Sequence, residues 1–138
     1  MKHFSIQELC KSATASSRRI DNTPSVQVVK NLTELVRNIL DPLREAWGAP
    51  IRVSSGYRST MLNRAVGGVP SSQHVKGEAA DITVGSRRDN MRLFKLVQSM
   101  GLPFDQLIFE KGDRAVGPDW VHVSYSTVRR RGQILFVK

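Results

Sequence analysis

His74 and Asp81 stand either side of a Gly77-containing turn in Ser72-Gln73-His74-Val75-Lys76-Gly77-Glu78-Ala79-Ala80-Asp81. Imidazole nitrogen and carboxylate oxygen both bind divalent zinc well, and a catalytic zinc takes three protein ligands and keeps a fourth position for water. The pair is one ligand short. The other histidines are His3 and His122. His3 lies at a terminus that would have to fold across the site. His122 lies in Asp119-Trp120-Val121-His122-Val123-Ser124-Tyr125, which reads as a strand. With Asp81 and two neutral imidazoles around it, a zinc ion keeps one positive charge. That charge favours bound hydroxide, the means by which zinc brings the pKa of water down to about 7. Each residue alone has an ordinary reading. Asp81 suits a surface ion pair at a strand start, His74 a loop, and a histidine flanked by valines a satisfied core position. The full spacing, rather than any one member, points to a metal.

Three segments occur in order: Ser54-Ser55-Gly56-Tyr57-Arg58-Ser59, Ser72 to Asp81, and Asp119-Trp120-Val121-His122. They resemble the three signatures of the zinc D-alanyl-D-alanine peptidase family. That family includes D,D-carboxypeptidases, D,D-dipeptidases and the L-alanyl-D-glutamate endopeptidases of phage lysins, and shares its fold with the hedgehog signalling domain. The likeness runs from about Phe4 to Tyr125. It implies one zinc ion held by His74, Asp81 and His122. It also implies an acid/base three residues before the last histidine, here Asp119, where many relatives carry glutamate. Period two puts Asp119 on the face opposite His122, so that role requires the turn after Pro118 to rotate it toward the metal. Arg58 matches the family's arginine and would stabilise an oxyanion or a substrate carboxylate. Ser72 and Gln73 would contact substrate, and Gln106 or Glu110 could support the ligands from behind.

The implied function is a zinc metallopeptidase acting on the peptidoglycan stem peptide, as a D-Ala-D-Ala carboxypeptidase or an L-Ala-D-Glu type endopeptidase, in a phage- or prophage-lysin-like member. On that reading Asp119→Ala keeps zinc and loses hydrolysis, whereas His122→Ala loses both. The alternative is a non-catalytic zinc-containing binding module of hedgehog-like fold, against which the presence of Arg58 and Asp119 argues.

Composition narrows the rest. A chain of 138 residues with 40% apolar content is expected to form one domain, residues 1–138, around one core. Cys10 is the single cysteine, so no internal disulfide exists, and it reads as a small packed residue on a helix. No apolar run approaches the roughly 20 residues of a membrane span. Met1 to Ser5 lacks signal-peptide features. The expectation is synthesis in the cytoplasm and action on the wall after release or export, as a monomer. The formal charge of +9 attracts polyanions in general. Arg18-Arg19, Arg87-Arg88 and Arg129-Arg130-Arg131 read as solvated edges, and no nucleic-acid motif accompanies them.

The positioning elements follow from pattern. Ser5 and Glu8 form a capping box for a short helix through Cys10, and Ser12 to Ser17 reads as a surface loop. Thr23-Pro24 signals the start of a long helix whose apolar stripe runs from Val28 to Leu43, with Pro42 kinking or dividing it after Leu40. Strands are expected at Ile51–Ser54, Ala80–Val84, Phe104–Phe109, Trp120–Tyr125 and Gln133–Val137. A short helix follows Ser59, and an amphipathic helix runs from Asp89 through Met100 until Gly101 and Pro103 stop it. Along the strands Thr83 should share the side of Asp81, and Trp120, His122 and Ser124 should face a cleft. Helices before and between several short strands, without regular βαβ alternation, predict an α+β fold with a mainly antiparallel sheet flanked by helices.

Overall fold

The computed structural model describes all of residues 1–138. Helix α1 (Ile6–Cys10) begins at Ser5, whose hydroxyl accepts from the Glu8 amide at 3.0 Å. The segment expected to be a loop instead forms helix α2 (Ala13–Arg18). Ser12 caps it, accepting from the Ala15 amide, and Arg19 ends it with φ of 56°. The cap and the alanines were visible in the sequence, but the Ser/Thr content masked them. Helix α3 (Val26–Leu35) starts at Ser25 and not at Thr23-Pro24, because the Ser25 hydroxyl reaches the Val28 amide.

A π-helical turn, Val36–Leu40, joins α3 to α4 (Asp41–Trp47). Pro42, which has no N–H and whose ring collides with the preceding turn of an α-helix, is the reason for the wider turn. The Asp41 amide bonds to Val36 O across it. The apolar stripe therefore continues through the proline. Leu32, Leu35, Val36, Ile39, Leu40 and Leu43 are all fully buried. Gly48 closes α4 at φ of 79°.

The sheet comprises β1 (Arg52–Ser55), β2 (Ala79–Thr83), β3 (Gln106–Glu110), β4 (Trp120–Ser124) and β5 (Gln133–Val137), in the order β1-β2-β4-β3-β5. Three pairings are antiparallel, and β5 joins β3 in parallel, so the sheet is mixed with a mainly antiparallel centre. One face carries Ala80, Ile82, Leu107, Phe109, Val121 and Val123 into the core shared with α3, the π turn, α4 and helix α6 (Arg87–Ser99). The α+β architecture with helices flanking the sheet is as the sequence predicted. The other face of β2, β3 and β4 carries the polar residues that form the site.

Helix α6 is capped by Ser86, and its buried Asn90 ties it to the sheet. The Asn90 amide donates to Pro118 O and Asp119 O, and its oxygen accepts from the Val84 amide. The Thr83 hydroxyl also donates to Asn90, at the junction of helix and sheet. Ser124 differs from expectation: it is fully buried, and its hydroxyl accepts from the Gln106 amide. No helix is long and apolar enough to cross a membrane.

Candidate metal centre

Asp81 and His122 sit directly opposite one another on the central antiparallel pair β2/β4. A cross-strand pair brings side chains within about 5 Å of each other, so register alone places these two groups side by side. His74 arrives from outside the sheet on a 3-10 turn, Gln73–Lys76, between helix α5 (Thr60–Ala65) and β2. Ser72 caps that turn by accepting from the His74 amide at 3.1 Å. Gly77 ends it at φ of 73°, the left-handed conformation that returns the chain toward β2.

The three residues converge. One ligand atom from each lies within 4.8 Å of the others, and all three residues are buried. His74 Nε2 is 3.2 Å from Asp81 Oδ1, and His122 Nδ1 is 3.0 Å from the same oxygen. His74 Nδ1 lies 2.7 Å from Gly56 O. A carbonyl only accepts, so Nδ1 carries the proton, and in the neutral ring Nε2 is then a bare lone pair. That lone pair faces a carboxylate oxygen, an arrangement that repels unless a cation lies between them. A divalent ion satisfies all three atoms at once. The donor set, two nitrogens and one oxygen, is that of a catalytic zinc site, so the residues present fit the ion. Burial opposes ionisation of Asp81, but the His122 and His74 imidazoles beside it outweigh that effect and hold the carboxyl well below its ordinary range.

Arg58 reaches the same group. Its Nη2 is 3.6 Å from Asp81 Oδ2, while Nε bonds to Ser55 Oγ at 3.0 Å and Nη1 to Asn63 Oδ1 at 3.1 Å. The loop between β1 and α5 that supplies it is fixed on both sides. The Arg58 amide donates to His74 O, and the Tyr57 amide to Leu9 O of α1. Asn22 binds that loop a third way, donating to Tyr57 O and accepting from the Ser59 amide at 2.7 Å. A loop amide such as Asn22, which bonds two distant backbone groups, leaves no pattern in sequence.

A cleft of about 580 Å³ opens over these residues, within the usual size of a ligand site. Ser72, Gln73, His74, Asp81, His122 and Arg58 all line it. Gln73 Nε2 bonds to Glu78, while its buried Oε1 and the buried indole N–H of Trp120 have no partner. Buried polar groups are nearly always paired, so these two are exceptions, in residues that line the cleft.

Asp119 is not among the residues brought together. The turn after Pro118 does not rotate it. Its Oδ1 accepts from Arg87 Nε at 2.8 Å, at the start of α6 and on the helix-covered side of the sheet. Period two thus prevails, and Asp119 faces away from His122. Glu110 stands in the cleft instead. On β3 it opposes Trp120, and Ile108, two residues earlier, opposes His122, so Glu110 shares the face of the metal group. Burial, and then the Asp81 charge, push its carboxyl above the ordinary value.

Comparison with known proteins agrees with this geometry. A family model described as peptidase M15 matches residues 2–124. A zinc D-Ala-D-Ala carboxypeptidase of Streptomyces albus G is 45% identical over 49 residues, which cover 35% of this chain and 19% of that protein. The matched stretch is therefore under a fifth of the length of that curated relative. With the family match spanning nearly the whole chain, and a His-Asp-His group able to hold one metal ion, the chain belongs to the peptidase M15 family, the zinc D-Ala-D-Ala peptidases its motifs resemble.

Proposed function

We propose that this protein is a zinc-dependent peptidase that hydrolyses a peptide bond of the peptidoglycan stem peptide. The observation that carries the reading is the convergence of His74, Asp81 and His122 on one point of a cleft that also contains a half-buried carboxylic acid, Glu110, and a fixed cation, Arg58. Membership of a peptidase family supports the reaction class, and the name of the Streptomyces relative supports the substrate class.

His74 Nε2, Asp81 Oδ1 and His122 Nδ1 would hold the zinc ion. When bound, zinc supplies Lewis acidity and a water acidified to near neutral pH. The remaining work falls to the chain. The Glu110 carboxylate takes the proton of the attacking water and hands it to the leaving amine, a general acid/base role suited to a carboxyl whose pKa lies above its usual value. The Arg58 guanidinium, braced by Ser55 and Asn63, stabilises negative charge developing on the substrate carbonyl oxygen. Gln73 and Trp120 line the cleft beside the metal group, where they would contact the bound peptide. Ser72 acts through His74, whose amide it caps. Asp119 remains the second candidate for the base, on the strength of the family signature alone.

The test is digestion of purified stem peptides by the zinc-loaded protein, with and without a chelator, followed by mass analysis of the fragments. Chelator-sensitive cleavage is expected. Release of a terminal D-alanine identifies a carboxypeptidase, and internal fragments identify an endopeptidase. Stoichiometric zinc binding with every peptide left intact overturns the peptidase reading in favour of a binding module.

A further inference from the structure

At the end of the cleft away from Glu110 the lining is basic. Asp105, immediately before β3, is completely buried. Its carboxylate accepts from Arg131 Nε at 2.8 Å, Arg131 Nη2 at 3.0 Å and the Arg131 amide at 3.1 Å, and Arg129 Nε lies 3.5 Å away. One buried acid thus holds two arginines, which leaves the set with a surplus positive charge. Both arginines line the cleft that contains His74, Asp81 and His122. Their side chains stay 40% and 52% exposed, for Arg131 and Arg129 respectively. A guanidinium has five N–H donors, and Asp105 occupies two of those on Arg131. The others are left for a ligand, already oriented by the buried carboxylate, which reduces the ordering cost of binding. The cleft as a whole has four cations, Arg58, Lys76, Arg129 and Arg131, against two acids, Asp81 and Glu110.

We propose that Arg129 and Arg131, ordered by Asp105, form a carboxylate-binding subsite that selects peptides bearing a free carboxylate to one side of the scissile bond. The proposal rests on the peptidase reading above and adds the feature of substrate that the cleft prefers. Asp105 lies three residue steps before Ile108, the partner of His122. At 3.4 Å per residue this sets the subsite roughly 10 Å along the strand from the metal group, about three residues of an extended peptide. The carboxylate belongs to the peptide itself, on an acidic residue or at its C-terminus.

The experiment uses the zinc-loaded full chain and one stem-type peptide in three forms: unmodified, amidated at its acidic residue, and amidated at its C-terminus. One of the two amides is expected to lower kcat/KM about tenfold, mainly through KM, and that amide identifies which carboxylate is bound. In Arg129→Ala and Arg131→Ala the preference for the unmodified peptide shrinks toward parity. Because Arg131 also pairs with the buried Asp105, its loss weakens the fold. Arg129→Ala, with the longer and more exposed contact, therefore serves as the second variant. Equal rates on all three peptides in the wild type overturn the proposal, as does full preference retained in both variants. If the wild type cleaves none of the peptides, the peptidase reading fails separately, and calorimetric Kd values decide the subsite. Tighter binding of the unmodified peptide, lost in Arg129→Ala, supports it, and indifference to amidation overturns it.

Discussion

Two acids compete for the proton-transfer role, and the face of the strand on which each lies separates them. Asp119 is salt-bridged to Arg87 on the helix-covered side, whereas Glu110 shares the polar face with His122 and is raised in pKa by burial and by Asp81. Glu110→Gln, which keeps the shape and removes the base, should retain one zinc per chain and lower kcat about 10²- to 10⁴-fold. Asp119→Ala should leave kcat near the wild-type value, since a half-exposed ion pair contributes only about 0–1 kcal/mol to stability. Measured zinc content with steady-state rates for both variants checks the assignment, and loss of activity in Asp119→Ala alone would return the role to Asp119. The three ligand candidates were readable from sequence because each histidine and the aspartate sit in a spaced motif. The proposed base was readable only as support for the ligands, since Glu110 lies in a strand whose partner, β4, cannot be identified from its own residues. Only pairing reveals that Glu110 and Trp120 are opposed.

At the scale of the element, the site depends on how closely the loop after β1 packs on α1. Gly56 supplies the carbonyl that fixes His74 Nδ1, and a Cβ built there would collide with the Leu9 backbone carbonyl. The next amide, Tyr57, bonds to that same Leu9 oxygen. Gly56→Ala must therefore push the loop off α1 and displace the partner of His74. The expected cost is about 1–3 kcal/mol of stability and about 10- to 100-fold in zinc affinity, the usual effect of losing a group that orients a metal ligand. Thermal unfolding and competitive zinc titration read the two effects, and unchanged zinc affinity would show that Gly56 O does not orient His74. Strand and helix positions were largely legible from periodicity, as with Gln133–Val137 and the stripe from Val28 to Leu43. The misreadings lie where local chemistry is degenerate. Ser12 and Ser25 are caps among several candidate serines and threonines, and only the hydrogen bonds to Ala15 and Val28 distinguish them.

At the scale of the whole molecule, the sheet order β1-β2-β4-β3-β5 places the metal group at its centre and the Asp105 cluster toward the β5 edge. No sequence pattern specifies that β5 returns parallel to β3, because β5 is mostly exposed and carries no distinct inward face. These two charged centres should respond differently to acid. Zinc ligands must be deprotonated, so zinc affinity falls as the pH drops from 7 to about 5. The Asp105 carboxyl is held below its ordinary value chiefly by the Arg131 hydrogen bonds, against the opposing effect of burial. Its folded pKa is therefore lower than its unfolded one. The stability it contributes is present above about pH 4 and is lost as the pH falls through the folded value. At pH 7, zinc at 100 times its Kd should add about 2.7 kcal/mol, or roughly 8–12 °C in Tm, relative to chelator-treated protein. That increment should shrink toward zero near pH 5, while the Tm of the chelated protein declines steeply only below about pH 4. Asp105→Asn should lower Tm at neutral pH and flatten the acid decline without changing the zinc increment. Thermal scans with and without zinc across this range measure both terms. A zinc increment of full size at pH 5 would mean that the ion is not held by two imidazoles, and an acid decline unchanged in Asp105→Asn would remove Asp105 from the account of stability.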